Sequence, residues 1–133
     1  MKFSFENLQV YQDALTWVGI IHHYLEQNKR QLSRSIRDQL GRAALSIPLN
    51  IAEGNGRWHK GDKRQFYSVA RGSVFECVAI LQVLEKMQLL SADALKPHVE
   101  ALTTLTKMLS GLIKSVEGLN QEVDSVRIRK SVV

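Results

Sequence analysis

Few residues in this chain are of types that do acid-base or metal chemistry. The four histidines, His22, His23, His59 and His98, show no metal-ligand spacing, so each reads as packed or exposed, and neither a metal nor a cofactor is expected. The single Cys77 cannot pair within the chain. Its place in a periodic apolar stripe marks it as a small core residue rather than a nucleophile. No nucleophile and base can be placed together, which argues against a hydrolase and makes a non-enzymatic protein the expectation. The stretch "GNGRWHKG" is rich in glycine, yet it lacks the G-x-x-x-x-G-K-[ST] order and the preceding strand of a phosphate-cradling loop.

That stretch offers a different chemistry. Trp58 stands among Arg57, Lys60, Lys63 and Arg64. An exposed indole there would stack on an unpaired base, whereas an indole folded over the end of a helix bundle would be packing only, and packing is the plainer reading. Between Lys29 and Arg71, ten Lys and Arg stand against three Asp and Glu, while the rest of the 133-residue chain carries an acidic excess, for a net charge of +5. A polyanion would gain most by docking on this basic stretch. A solvated basic face that only maintains solubility explains the same charge. Arg34, Arg37, Arg57, Lys60, Lys63 and Arg64 are the candidates for a shared polyanion surface, with RNA or DNA as the ligand.

The elements that must position these residues read as helices throughout. A chain of this length with 44% hydrophobic residues fits one domain, placed at 1–119, with a tail at 120–133. No window reaches about 18 consecutive apolar residues, and the N-terminus "MKFSFENLQVYQD" lacks a signal-peptide pattern, so a cytoplasmic protein without a membrane segment is expected. The first helix, opened by Ser4 as N-cap, carries Leu8, Tyr11, Leu15, Val18, His22 and Leu25 at 3-4 spacing as its core stripe. A second stripe, Val10, Ala14, Trp17, Ile21 and Tyr24, lies on an adjacent face. A surface helix needs only one such stripe, so Val10, Trp17, Ile21 and Tyr24 are read as an interface between copies.

In the second segment Ile36, Leu40, Ala43, Ala44, Ile47 and Ile51 keep phase across Pro48. A helix kinked at Pro48 and ending at Gly54 or Gly56 therefore fits better than a loop. Asp62 with Gln65 reads as a capping-box variant opening a third helix to about Leu89. Ser91 and Asp93 offer caps for a fourth, with Pro97 near its first turn and an apolar period running to Leu119. Short connections make neighbours antiparallel, so the expected fold is an all-α, up-down-up-down four-helix bundle. Ala43, Ala44, Ser46 and Ala52 on the second helix, with Ala70, Gly72 and Ser73 on the third, predict close packing of that pair. The tail loses the period and reads as disordered or as an added strand.

The blocks "FENLQVYQDA", "QLGRAALSIPLNIAEG" and "FYSVARGSVFE" resemble the signature blocks of the 23S ribosomal RNA intervening-sequence proteins, over about Phe5 to Leu119. The resemblance implies a bacterial cytoplasmic four-helix bundle, commonly a homopentameric ring. It also implies a distant similarity to the accessory subunit of diversity-generating retroelements, a basic ring that binds nucleic acid and a reverse transcriptase. It implies no reaction. The family's motif polar residues fall on Arg42, Ser46, Asn50, Glu53, Ser73 and Glu76. Asn50 with Glu53, and Ser73 with Glu76, share a helical face. Paired carboxylates for a metal would need a Glu-x-x-His pattern that neither Glu has, so a structural polar network is expected, with Arg42 opposite Glu76 and Glu53 near Arg57. Two functions remain: a nucleic-acid-binding homo-oligomer, or a protein-interaction scaffold with no nucleic-acid role.

Overall fold

The computed structural model describes residues 2–132, with side chains through 118. A 3-10 turn at Ser4–Asn7 precedes α1 (Gln9–Gln27), α2 (Arg34–Gly56), α3 (Lys60–Lys86) and α4 (Ala92–Val132). Connections this short leave consecutive helices no choice but to run antiparallel, and α2 packs most extensively on α3, then α3 on α4 and α1 on α2. The result is the expected four-helix bundle. The tail, 120–133, does not form the added strand: α4 continues through Val132.

Helix boundaries follow local chemistry, and several differ from the sequence reading. Ser33 caps α2, its Oγ accepting from the Ile36 N–H at 3.2 Å. Ser91 caps α4 in the same way, accepting from Ala94 N–H at 3.1 Å. Ser4 does not cap α1; the Phe3 N–H instead donates to Glu6 Oε2 at 2.6 Å, which holds the 3-10 turn, and α1 begins after Leu8. Asp62 is not the cap of α3 either, because α3 starts at Lys60 and its N-cap His59 makes no side-chain bond, so Asp62 lies in the first turn. The backbone stays helical from Arg34 to Gly56 with Pro48 inside the helix, so the segment is no loop. Burial of Pro48 with Ala44, Ile47 and Ile51 against the neighbouring helices supplies what the missing N–H removes.

The core draws on both stripes of α1 and most deeply on the second: on the stripe read as core, Leu25 is buried and Leu8, Tyr11 and Val18 pack half-buried against the core. Val10, Trp17 and Ile21 are 3%, 2% and 1% exposed and join Leu40, Ile47, Val74, Leu81, Leu102 and Leu105 in the core. They are therefore not an interface between copies. Tyr24 is half-buried, its hydroxyl 3.4 Å from the Leu89 carbonyl. On the stripe read as core, Leu15 is 43% exposed and His22 is exposed. Both stripes have the same 3-4 spacing, so periodicity alone could not rank them. The bulk of Trp17 and its indole N–H, which donates to His98 Nδ1 at 3.1 Å, select the inward face.

Close approach of α2 and α3 is real, but the glycine that permits it is Gly54. A Cβ there would lie 2.9 Å from Phe66 Cβ and 2.9 Å from Tyr67 Cε1, whereas one at Gly72 would meet nothing within 4 Å. Gly72 therefore has no packing reason inside the chain. α3 is also long and apolar enough to cross a membrane, a test that core helices of soluble bundles pass as well, and only 33% of its most apolar stretch is buried.

Candidate nucleic-acid interface

α2 ends at Gly56 and α3 begins at Lys60, so the connection is a three-residue spur of Arg57, Trp58 and His59. Arg57 and His59 both have extended backbone, at φ −77°, ψ 146° and φ −84°, ψ 137°. Trp58 between them is 91% exposed. The expectation that it packs over the bundle end is overturned: with extended backbone on both sides, the indole points away from the chain.

The cations around the spur are not equivalent. Lys63 is half-buried, its Nζ donating to the Asn55 carbonyl at 2.6 Å and lying 3.5 Å from that of Gly54. It caps the C-terminal end of α2, where the helix dipole favours a positive charge, and is withdrawn from solvent. Arg57 lies over the Phe66 ring, 4.6 Å from its centroid, and contacts Glu53 Oε1 at 3.4 Å. Arg64 is half-exposed, 3.9 Å from Glu117. Lys60 makes no ion pair among the described residues and stands at the N-terminus of α3, where the helix dipole adds to its charge.

Arg34 and Arg37 are elsewhere. They open α2, so about 34 Å of helix separates Arg34 from Arg57. Arg34 pairs with Asp38 at 3.7 Å, and Arg37 is half-buried with its Nε out of reach of any acceptor. One chain therefore does not bring the six cations onto a shared surface; it places two at one end of the bundle and four at the other.

The polar motif residues divide similarly. Asn50 Nδ2 donates to Ser46 Oγ at 2.9 Å and to its carbonyl at 2.8 Å, and the hydroxyls of Ser46 and Ser73 lie 2.8 Å apart. With Ser73 only 8% exposed, this cluster ties α2 to α3 and sets their register. Glu53 does meet Arg57. Glu76, however, accepts from Gln39 Nε2 at 2.7 Å, and Arg42 is exposed with no bond to it. Gln39 lies one turn before Arg42 on the same face, so helical spacing allowed either partner. Glu53 and Glu76 have separate partners and form no acid pair. Phe66, the platform for Arg57, gave no signal because its contact crosses the turn.

Other ionisable groups are built into packing. Cys77 is 0% exposed and its thiol is pushed up to about 12, first by burial and then by the Glu76 charge beside it. His98 is held below its ordinary pKa by burial. A groove of about 260 Å³ between α1 and α4 holds one ionisable side chain, Asp13, which accepts from Gln9 Nε2 at 2.8 Å. Among the described residues, no three His, Cys, Asp or Glu side chains are grouped to hold a metal ion.

This fold has a solved relative. A crystal structure of a protein of unknown function from the S23 ribosomal protein family of Bacteroides thetaiotaomicron VPI-5482 matches with a TM-score of 0.73. The match covers 79% of this chain and 98% of that one, at 21% identity, a level at which the likeness shows the fold alone. Among curated proteins there is no match. The family model of the 23S rRNA-intervening sequence protein matches residues 6–111, and the chain belongs to that family.

Proposed function

We propose that this protein is a non-enzymatic, cytoplasmic, self-associating bundle that binds RNA or DNA through its α2–α3 end. The observation that carries this reading is the exposed spur, where a solvent-facing Trp58 stands close in sequence to Arg57, Lys60 and Arg64. Exposed cations at this end can reach phosphates, and self-association multiplies a modest patch into a field that steers a polyanion. Self-association is supported by Leu45, Leu49, Val69, Phe75 and Val83, 47% to 58% exposed on the outer faces of α2 and α3. These replace the α1 stripe as the interface. The number five rests on the family resemblance.

Binding of the purified protein to structured RNA, single-stranded DNA and duplex DNA over a salt series tests the reading. Affinity is expected to fall steeply with salt and to depend weakly on sequence. Replacing both Lys60 and Arg64 by Ala flattens the log-log slope by about 1.4 on a single strand, at about 0.7 per lost phosphate contact. Lys63→Ala lowers thermal stability and leaves the slope nearly unchanged, because its ammonium holds α2 rather than a ligand. No binding to any of the three at low salt removes the reading and leaves a protein-interaction scaffold.

A further inference from the structure

We infer that Trp58 is a stacking platform for an unpaired base, so that the ligand of the α2–α3 end is a single strand or a looped-out nucleotide rather than a duplex. The inference rests on the nucleic-acid reading above and makes it specific. Trp58 is the most exposed large apolar side chain among the described residues. The spur that carries it is pinned at both ends: the Arg57 N–H donates to the Gly54 carbonyl at 3.2 Å, and the Lys63 N–H to the His59 carbonyl at 3.0 Å. Lys63 Nζ, bonded to the Asn55 carbonyl at 2.6 Å, locks the same turn from the α3 side. The indole is thus displayed from a fixed backbone, and little order remains to be gained on binding.

The neighbours of Trp58 decide the kind of partner. A tryptophan anchoring a protein interface sits in an apolar core ringed by polar groups. Here the sequence neighbours on either side are Asn55, Gly56, Arg57, His59 and Lys60, and the exposed apolar residues Leu45, Leu49, Val69, Phe75 and Val83 lie farther along the helices. An aromatic face among cations suits a base with its phosphates alongside. A duplex hides its base faces in the stack and offers this indole only the backbone.

The two tryptophans make the test direct. Trp17 is 2% exposed and Trp58 91%, so acrylamide quenches Trp58 selectively in the full-length protein. A thymidine single strand of about 20 nucleotides is expected to quench Trp58 emission and to shield it from acrylamide, while the duplex of the same sequence does neither. Trp58→Ala is expected to weaken single-strand binding about 5- to 150-fold, the equivalent of one lost stacked base, with duplex affinity and salt slope unchanged. Trp58→Phe should recover part of the loss. Equal weakening for single strand and duplex, or binding without quenching, overturns the stacking inference while the polyanion reading stands. Absence of binding to every nucleic acid overturns both.

Discussion

The contact between Trp17 and His98 shows how a residue's role can be invisible in its spacing. His98 reads from sequence as an unremarkable histidine, yet its Nδ1 accepts the indole N–H at 3.1 Å, and the two rings meet edge to face at 6.0 Å. That bond needs a neutral imidazole with its proton on Nε2. Burial lowers the folded pKa below the unfolded value of 6.5, so the group stabilises the fold fully above that value. The contribution is lost as pH falls from there through the folded pKa. Urea unfolding between about pH 7.5 and about pH 5 should show stability declining in this window, and His98→Gln, which keeps a neutral acceptor, should flatten the decline. His98→Leu leaves the buried N–H unpaired and should cost about 1 to 3 kcal/mol at neutral pH. An unchanged pH profile in His98→Gln would sink the assignment.

At the scale of elements, the ends of helices carry information that the apolar period does not. α3 closes with Gln88 in the left-handed region at φ 63°. The Leu89 N–H donates to the Leu84 carbonyl at 2.9 Å and the Gln88 N–H to that of Glu85 at 2.9 Å, the pair of bonds of a Schellman motif. Glycine usually fills this position because a side chain there is strained. Gln88→Gly should therefore raise stability by about 0.5 to 1 kcal/mol, read as a higher urea midpoint with an unchanged m-value. Both ends of the α2–α3 junction are likewise set by short-range chemistry, with Lys63 capping one helix and Arg57 stacked on the other. The sequence showed a basic turn there, but not which cation serves the fold.

For the whole molecule, burial separates residues that look alike in sequence. Trp17 lies in the core, whereas Phe75 and Leu49 are 53% and 58% exposed on the faces proposed to meet other copies. Phe75→Glu with Leu49→Glu should lower the mass measured by light scattering and leave helical content nearly intact, since neither side chain is a core contact. Trp17→Glu should instead unfold the bundle, because an unpaired buried carboxylate costs several kcal/mol. A native protein that is already monomeric at micromolar concentration would refute self-association. Gly72, with open space over its Cα, lies on the α3 face that carries Phe75, where a neighbouring chain can approach closely.

Periodicity and punctuation were enough for the architecture. Apolar spacing continued across Pro48, Ser91 offered a cap, and connections of a few residues forced antiparallel neighbours, all of them consequences of local geometry. The residues of the Ser46, Asn50 and Ser73 cluster were indicated by the family resemblance, but their pairing with one another came from the structure. Three things waited for the tertiary structure: which stripe of α1 is buried most deeply, which glycine lets α2 and α3 meet, and which cations stay free. Each depends on neighbours distant in sequence. Trp17 turns inward because α4 brings His98 to it. Gly54 is required because α3 lays Phe66 and Tyr67 against it. Lys63 leaves the basic surface because the end of α2 presents carbonyls that need a cation.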